Sequence, residues 1–244
     1  MRPALRYTLL MSSLPHLPSL FASREMPLSR LQLNQRLRML EPADAATLHH
    51  IQAMMSWGCL SLETTDQHIL SHLGQLLAQL DGRRFLQELL ITRFELLTIV
   101  AALRRRHRDD ASPAHGLRWG YARWVSHIER HWKEPGFGLE KAFPWIVNAR
   151  SCLEDDDTVG LERLLMATAW DHLGRAGEGH YFDFEAVVIY ALRFDLLASW
   201  AGWDRTVSRA HFQRLLEAEL GQCGDLFRCD SPPPGLKERR EYIR

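Results

Sequence analysis

Apolar residues recur along most of this chain at the three- and four-residue intervals of a helix with one buried face. Asp66 suits an N-cap. After it, Ile69, Leu70, Leu73, Leu76, Leu77 and Leu80 form an unbroken stripe, and Gly82 stops it as a glycine just past a helix end does. A second stripe, Leu117, Tyr121, Trp124, Val125, Ile128 and Trp132, ends at Pro135-Gly136. A third, Leu161, Leu164, Leu165, Ala169 and Leu173, ends at Gly174 and the loop Gly177-Glu178-Gly179. Phe212, Leu215, Leu216 and Leu220 make the last. Pro42 stands where a first-turn proline opens the helix carrying Leu48, Ile51 and Met55. Strand signals are thin. Only Tyr7-Thr8-Leu9-Leu10-Met11 suits a short extended piece, and Ser13 to Pro18 reads as an extended linker, because residues before proline avoid the α region. The predicted class is all-α: a multi-helix array with a short irregular or extended N-terminal segment.

Two stretches, Phe85–Leu103 and Phe182–Trp200, are apolar nearly all round and approach membrane-spanning length. The first contains Glu88, Arg93 and Glu95, the second Asp183, Glu185, Arg193 and Asp195. Charges at mid-span make insertion costly, so both read as helices at the centre of a globular core. Each follows a shorter amphipathic helix and a glycine-containing break. Each carries a Phe-Glu pair, Phe94-Glu95 and Phe184-Glu185, followed by an arginine, Arg104 and Arg193. This echo predicts two related helical lobes, one over about 20–110 and one over about 115–222, within a single domain of residues 1–230. The polar tail 231–244 reads as a poorly packed extension.

Composition narrows the partners. The 30 Lys+Arg balance 30 Asp+Glu, which argues against a nucleic-acid-binding surface. Residues 1–122 carry 14 basic and 10 acidic residues, and residues 123–244 carry 16 and 20, so the halves are +4 and −4. Such a dipole could orient the chain between differently charged partners. Cys59, Cys152, Cys223 and Cys229 are scattered and read as free thiols in a reducing compartment. Leu5–Leu14 is too short, and too soon broken by Pro15 and Pro18, for a signal peptide. The expected location is cytoplasmic.

Candidate chemistry is sparse. Twelve histidines include one helical i, i+4 pair, His127 and His131, without a carboxylate at the spacing of a metalloprotease motif. Asp171-His172 could form an acid–base dyad, but His172 more simply meets the last carbonyls of its helix. Glu154-Asp155-Asp156-Asp157 could hold a cation, yet acids before a helix start are favoured by its dipole. No phosphate-binding loop or nucleophile elbow occurs. No catalytic, metal or cofactor residue is therefore assigned. The basic run Arg104-Arg105-Arg106-His107-Arg108 closes a long helix, where cations are favoured, and could also dock an acidic partner.

The order of several short motifs resembles a known family. Tyr7 to Pro15 looks like its opening, and Phe137-Gly138-Leu139 and Phe143-Pro144 like its middle. Leu161-Glu162 with Trp170 resembles its Leu-Glu…Trp helix. Phe182 to Val187 with Tyr190 and Arg193 resembles its Phe-x-Phe-acid helix. These are the small C-type proteins of bacterial V-type ATPases. They are similar in turn to the larger C-type collar proteins of archaeal and bacterial rotary ATPases, whose eukaryotic counterparts are called d-type. The resemblance spans about residues 7–220 and implies an all-helical, non-catalytic collar that couples the rotary shaft to the membrane ring of an ion-translocating ATPase. It implies shaft and ring subunits as partners, with membrane contact only through them, and a place peripheral to the inner membrane as part of the complex. This chain is shorter than the larger collar proteins, so a third lobe would be missing or reduced. Arg104, Arg105, Arg106 and Arg108, with Glu95, Glu185 and Arg193, are the candidate partner-binding residues. Two other readings stay open: a helical assembly factor, and a metal-dependent hydrolase using Asp171, His172 or the His127/His131 pair.

Overall fold

The computed structural model describes residues 6–22, 26–56, 66–108, 112, 119–121 and 123–202. Among the described residues the chain is all-helical, with nine helices and no strand: α1 (Thr8–Ser13), α2 (Arg30–Leu37), α3 (Pro42–Met55), α4 (Asp66–Gln79), α5 (Arg84–His107), α6 (Val125–Arg130), α7 (Trp145–Glu154), α8 (Thr158–Ala176) and α9 (184–202). As far as Ala201 they lie in one compact unit. The expected stripe from Phe212 to Leu220, the tail from 231, and Cys59, Cys223, Cys229 and Leu117 lie outside the described residues.

The punctuation follows local chemistry. Pro42 occupies the first turn of α3. Gly82 takes φ +80 just past α4, as its stop-signal role requires. Asp157 caps α8 by accepting the Gly160 N–H at 2.7 Å. Ser29 opens α2 in a reciprocal capping box with Gln32.

Two expectations fail in instructive ways. The opening Tyr7–Met11 is helical rather than extended, forming most of α1. Its buried positions are Tyr7 and Leu10, with Leu14 half-buried, a three- and four-residue spacing that a strand would not give. The stripe from Leu117 to Trp132 is not one helix. Among its described residues only Val125–Arg130 is helical, and a chain of turns follows, with Glu134 N–H bonded to the His131 carbonyl and Phe137 N–H to that of Glu134. Phe137 itself is fully buried at φ +57, so its burial is bought with left-handed backbone.

Two apolar cores result. The first takes residues from α1 to α4, Leu86 to Phe94 of α5, Met166 to Leu173 of α8, and α9. The second takes Leu96 to Leu103 of α5, Ile128, Phe137, Leu139, α7, and Leu161 with Leu165 of α8. Both α5 and α8 therefore cross from one core to the other. The 24-residue α5 is about 36 Å long. Among the described residues, no helix is long and apolar enough to cross a membrane.

Candidate functional site

The basic run stays at the surface as the last turn of α5. Arg104, His107 and Arg108 are exposed, and Arg105 and Arg106 are half-buried. Arg106 leans inward: one guanidinium nitrogen donates to the Lys133 carbonyl at 3.1 Å, and the group lies over the Phe137 ring at 5.8 Å. Arg106, His107 and Arg150 line a cavity of about 290 Å³ beside Pro135. Arg150 is paired there with Glu154 at 3.3 Å. The local field is basic, as an acidic docking group would need.

Two of the other three candidates, Glu95 and Arg193, are spent inside the fold. Glu95 is 1% exposed and holds Arg123 through both carboxylate oxygens, at 2.7 and 3.2 Å. That bond raises the Arg123 pKa further. Arg193 lies 3.8 Å above the Trp170 ring, and burial lowers its pKa. Its Nε is closed off from solvent without a hydrogen-bond partner, so the indole face is what receives the charge. Glu185 sits in the first turn of α9 with its ligand atoms, and those of His180 and Asp183, within 4.8 Å of one another. Sequence reading did not single out this cluster, because His180 precedes the helix and breaks the periodic spacing. Two of its members are already engaged: His180 Nδ1 meets Asp183 Oδ2 at 2.6 Å, and Asp183 Oδ1 accepts the Ala186 N–H at 2.9 Å as the cap of α9.

The histidine pair is brought together but turned to structural use. The His127 and His131 rings stack at 4.1 Å. His127 Nε2 donates to the Phe137 carbonyl at 3.0 Å, and His131 Nδ1 to the His127 carbonyl at 2.9 Å. His172 and its neighbour Asp171 separate, since adjacent helical positions diverge. Asp171 is exposed, whereas His172 lines an apolar cavity of about 310 Å³ enclosed by α3, α5, α8, α9 and the turn before α7. Burial first, and then the charge of Arg175, hold the His172 pKa below its usual value.

Motif residues around α1 and around α9 converge. The Tyr7 N–H donates to the Phe182 carbonyl at 2.8 Å, and the Tyr7 and Phe184 rings lie 6.3 Å apart. Tyr190 donates its hydroxyl to the Pro15 carbonyl at 2.9 Å, across 175 residues. The Tyr7 hydroxyl meets Asp44 at 2.5 Å. Arg83 also reaches Asp44, at 2.9 Å, and Arg6 pairs with both Asp44 and Glu41. No protein-family model, curated protein or solved structure matches this chain.

Proposed function

We propose that this protein is a non-catalytic central-stalk, or collar, subunit of a V-type ion-translocating ATPase, coupling the rotary shaft to the membrane ring. The observation that carries the reading is the convergence just described. Tyr7, Pro15, Trp170, Phe182, Phe184, Tyr190 and Arg193 belong to separate motifs of the resemblance, and they meet in one interlocked region. A collar must resist shear, and helices packed into two cores tied by α5 and α8 suit that task. The basic end of α5 offers the charge that an acidic partner surface would seek.

The test is purification of the ATPase through a tag on this chain. The expected result is stoichiometric recovery of shaft and ring subunits, and loss of coupled ion pumping when the chain is deleted. Recovery only with partly assembled complexes would assign it to assembly instead. An ATPase that assembles and pumps normally without it would end the collar reading.

A further inference from the structure

Protein interiors pack to near-crystal density, and voids larger than one water are few. The cavity beside His172 departs from that standard. Its volume of about 310 Å³ would hold roughly ten water-sized heavy atoms. It falls within the range of small-ligand pockets, about 300–1,000 Å³. Met55, Leu96, Phe143, Leu173, Leu192 and Leu196 make most of its wall apolar. Water gains few partners on such a wall, and leaving it bare forfeits dispersion contacts.

Its polar groups are few and unequal. Asp195 Oδ1 lies in an ion pair 2.5 Å from Arg30 but without a hydrogen bond, and Oδ2 accepts from Gln52 at 2.8 Å. Arg175 is exposed, so the cavity reaches solvent beside it. Its Nε donates to the Asp171 carbonyl at 3.4 Å, a bond that engages neither terminal nitrogen. Arg93 adds a second cation to the wall. His172 is neutral at pH 7, because burial lowers its pKa, and its Nε2 is sealed from solvent without a hydrogen-bond partner. The lining is thus a greasy chamber that carries two arginines, Arg93 and the exposed Arg175, beside one carboxylate, Asp195. An amine would be repelled there, and a purely apolar molecule would leave the charge at Arg175 unused.

We propose that this cavity binds a monocarboxylate with an apolar chain of about eight to twelve carbons, a length set by the room for roughly ten heavy atoms. The chain lies among the leucines and Phe143, and the carboxylate meets Arg175, whose fork suits it. The proposal does not depend on the collar reading.

The experiment titrates the full chain with decanoate and with decanol, read by tryptophan emission, since Trp145 lines the cavity, and by calorimetry. Decanoate should saturate at one per chain and bind about tenfold tighter than decanol, the worth of one charge-assisted contact. Arg175→Gln should erase that preference and leave decanol binding unchanged. Because Arg175 is exposed, this variant keeps the fold intact. Ala169→Phe, which fills the chamber, should abolish both, with helix content checked by circular dichroism. No saturable binding of either probe up to about 1 mM would overturn the proposal, as would binding that Ala169→Phe leaves untouched in a folded protein. Equal affinity of the two probes for the unsubstituted chain would overturn the carboxylate assignment.

Discussion

The Tyr7 hydroxyl, 4% exposed as a residue, donates to a buried Asp44 carboxylate that also takes Arg83. Burial first, and then the Asp44 bond and charge, push the Tyr7 pKa up to about 12. The fold therefore holds the neutral phenol. Stability from this group is complete below pH 10, the unfolded value, and is lost as pH rises through 12. Tyr190, raised to about 12 by burial, behaves likewise. Resistance to urea should weaken between about pH 10 and 12, and Tyr7→Phe should remove a share of that loss. At about pH 8 the same substitution should cost about 1–2 kcal/mol, because Asp44 keeps Arg83 but loses a donor. An unchanged alkaline profile in Tyr7→Phe would sever the link. None of this was legible in the sequence. Tyr7 stood out as a motif position, but Asp44 lies 37 residues away, with no local spacing to tie them. Glu95 and Arg123 are another such case, 28 residues apart. Glu95 looked like an exposed docking charge because its partner was invisible.

At the scale of elements, the sequence spoke clearly wherever the signal was local. The stripe after Asp66, the proline opening α3 and the acids before α8 each specify their element from within a few residues. The signal failed where a neighbour overrode it. The residues before α6 are shaped by α5: Thr98 donates to the Phe94 carbonyl at 2.7 Å and accepts the Tyr121 N–H at 2.9 Å. Gly120 allows that approach. A Cβ there would lie 2.5 Å from Thr98 Cγ2. Gly120→Ala should cost roughly 1–3 kcal/mol through overpacking. Adding Thr98→Ser, which deletes the offending methyl and keeps the hydroxyl, should recover part of it. Thermal unfolding of the single and double variants measures both. If Thr98→Ser instead deepens the loss, the contact is not what makes this position a glycine.

For the molecule as a whole, the class and the helical faces were legible, while the division into two cores was not. Which leucines share a core depends on which helices meet, and α5 and α8 change cores along their length. The His172 cavity was hidden for the same reason, since five separated segments build its wall. The basic end of α5 was legible, because charge and exposure there coincide. Reversing it with Arg104→Glu and Arg108→Glu should lower stability by about 0.3–1 kcal/mol per position, through the helix dipole. It should weaken association with the purified ATPase at least tenfold by surface-binding measurement. Undiminished association would remove this surface from the collar proposal.

The pairing of Tyr7 with Phe182, and of Pro15 with Tyr190, also sets an order of events during synthesis. The Pro15 carbonyl just after α1 cannot be engaged until its partner Tyr190 is made, 175 residues later. At about 5–20 residues per second, α1 can meet α2 and Asp44 early but waits on the order of ten seconds or more for the cover that Phe182 and α9 supply. Loop closure over such a span is slow and entropically opposed. The nascent chain should therefore be a chaperone client until α9 emerges, and truncation within α9 should send the whole first core to aggregation rather than trim its edge.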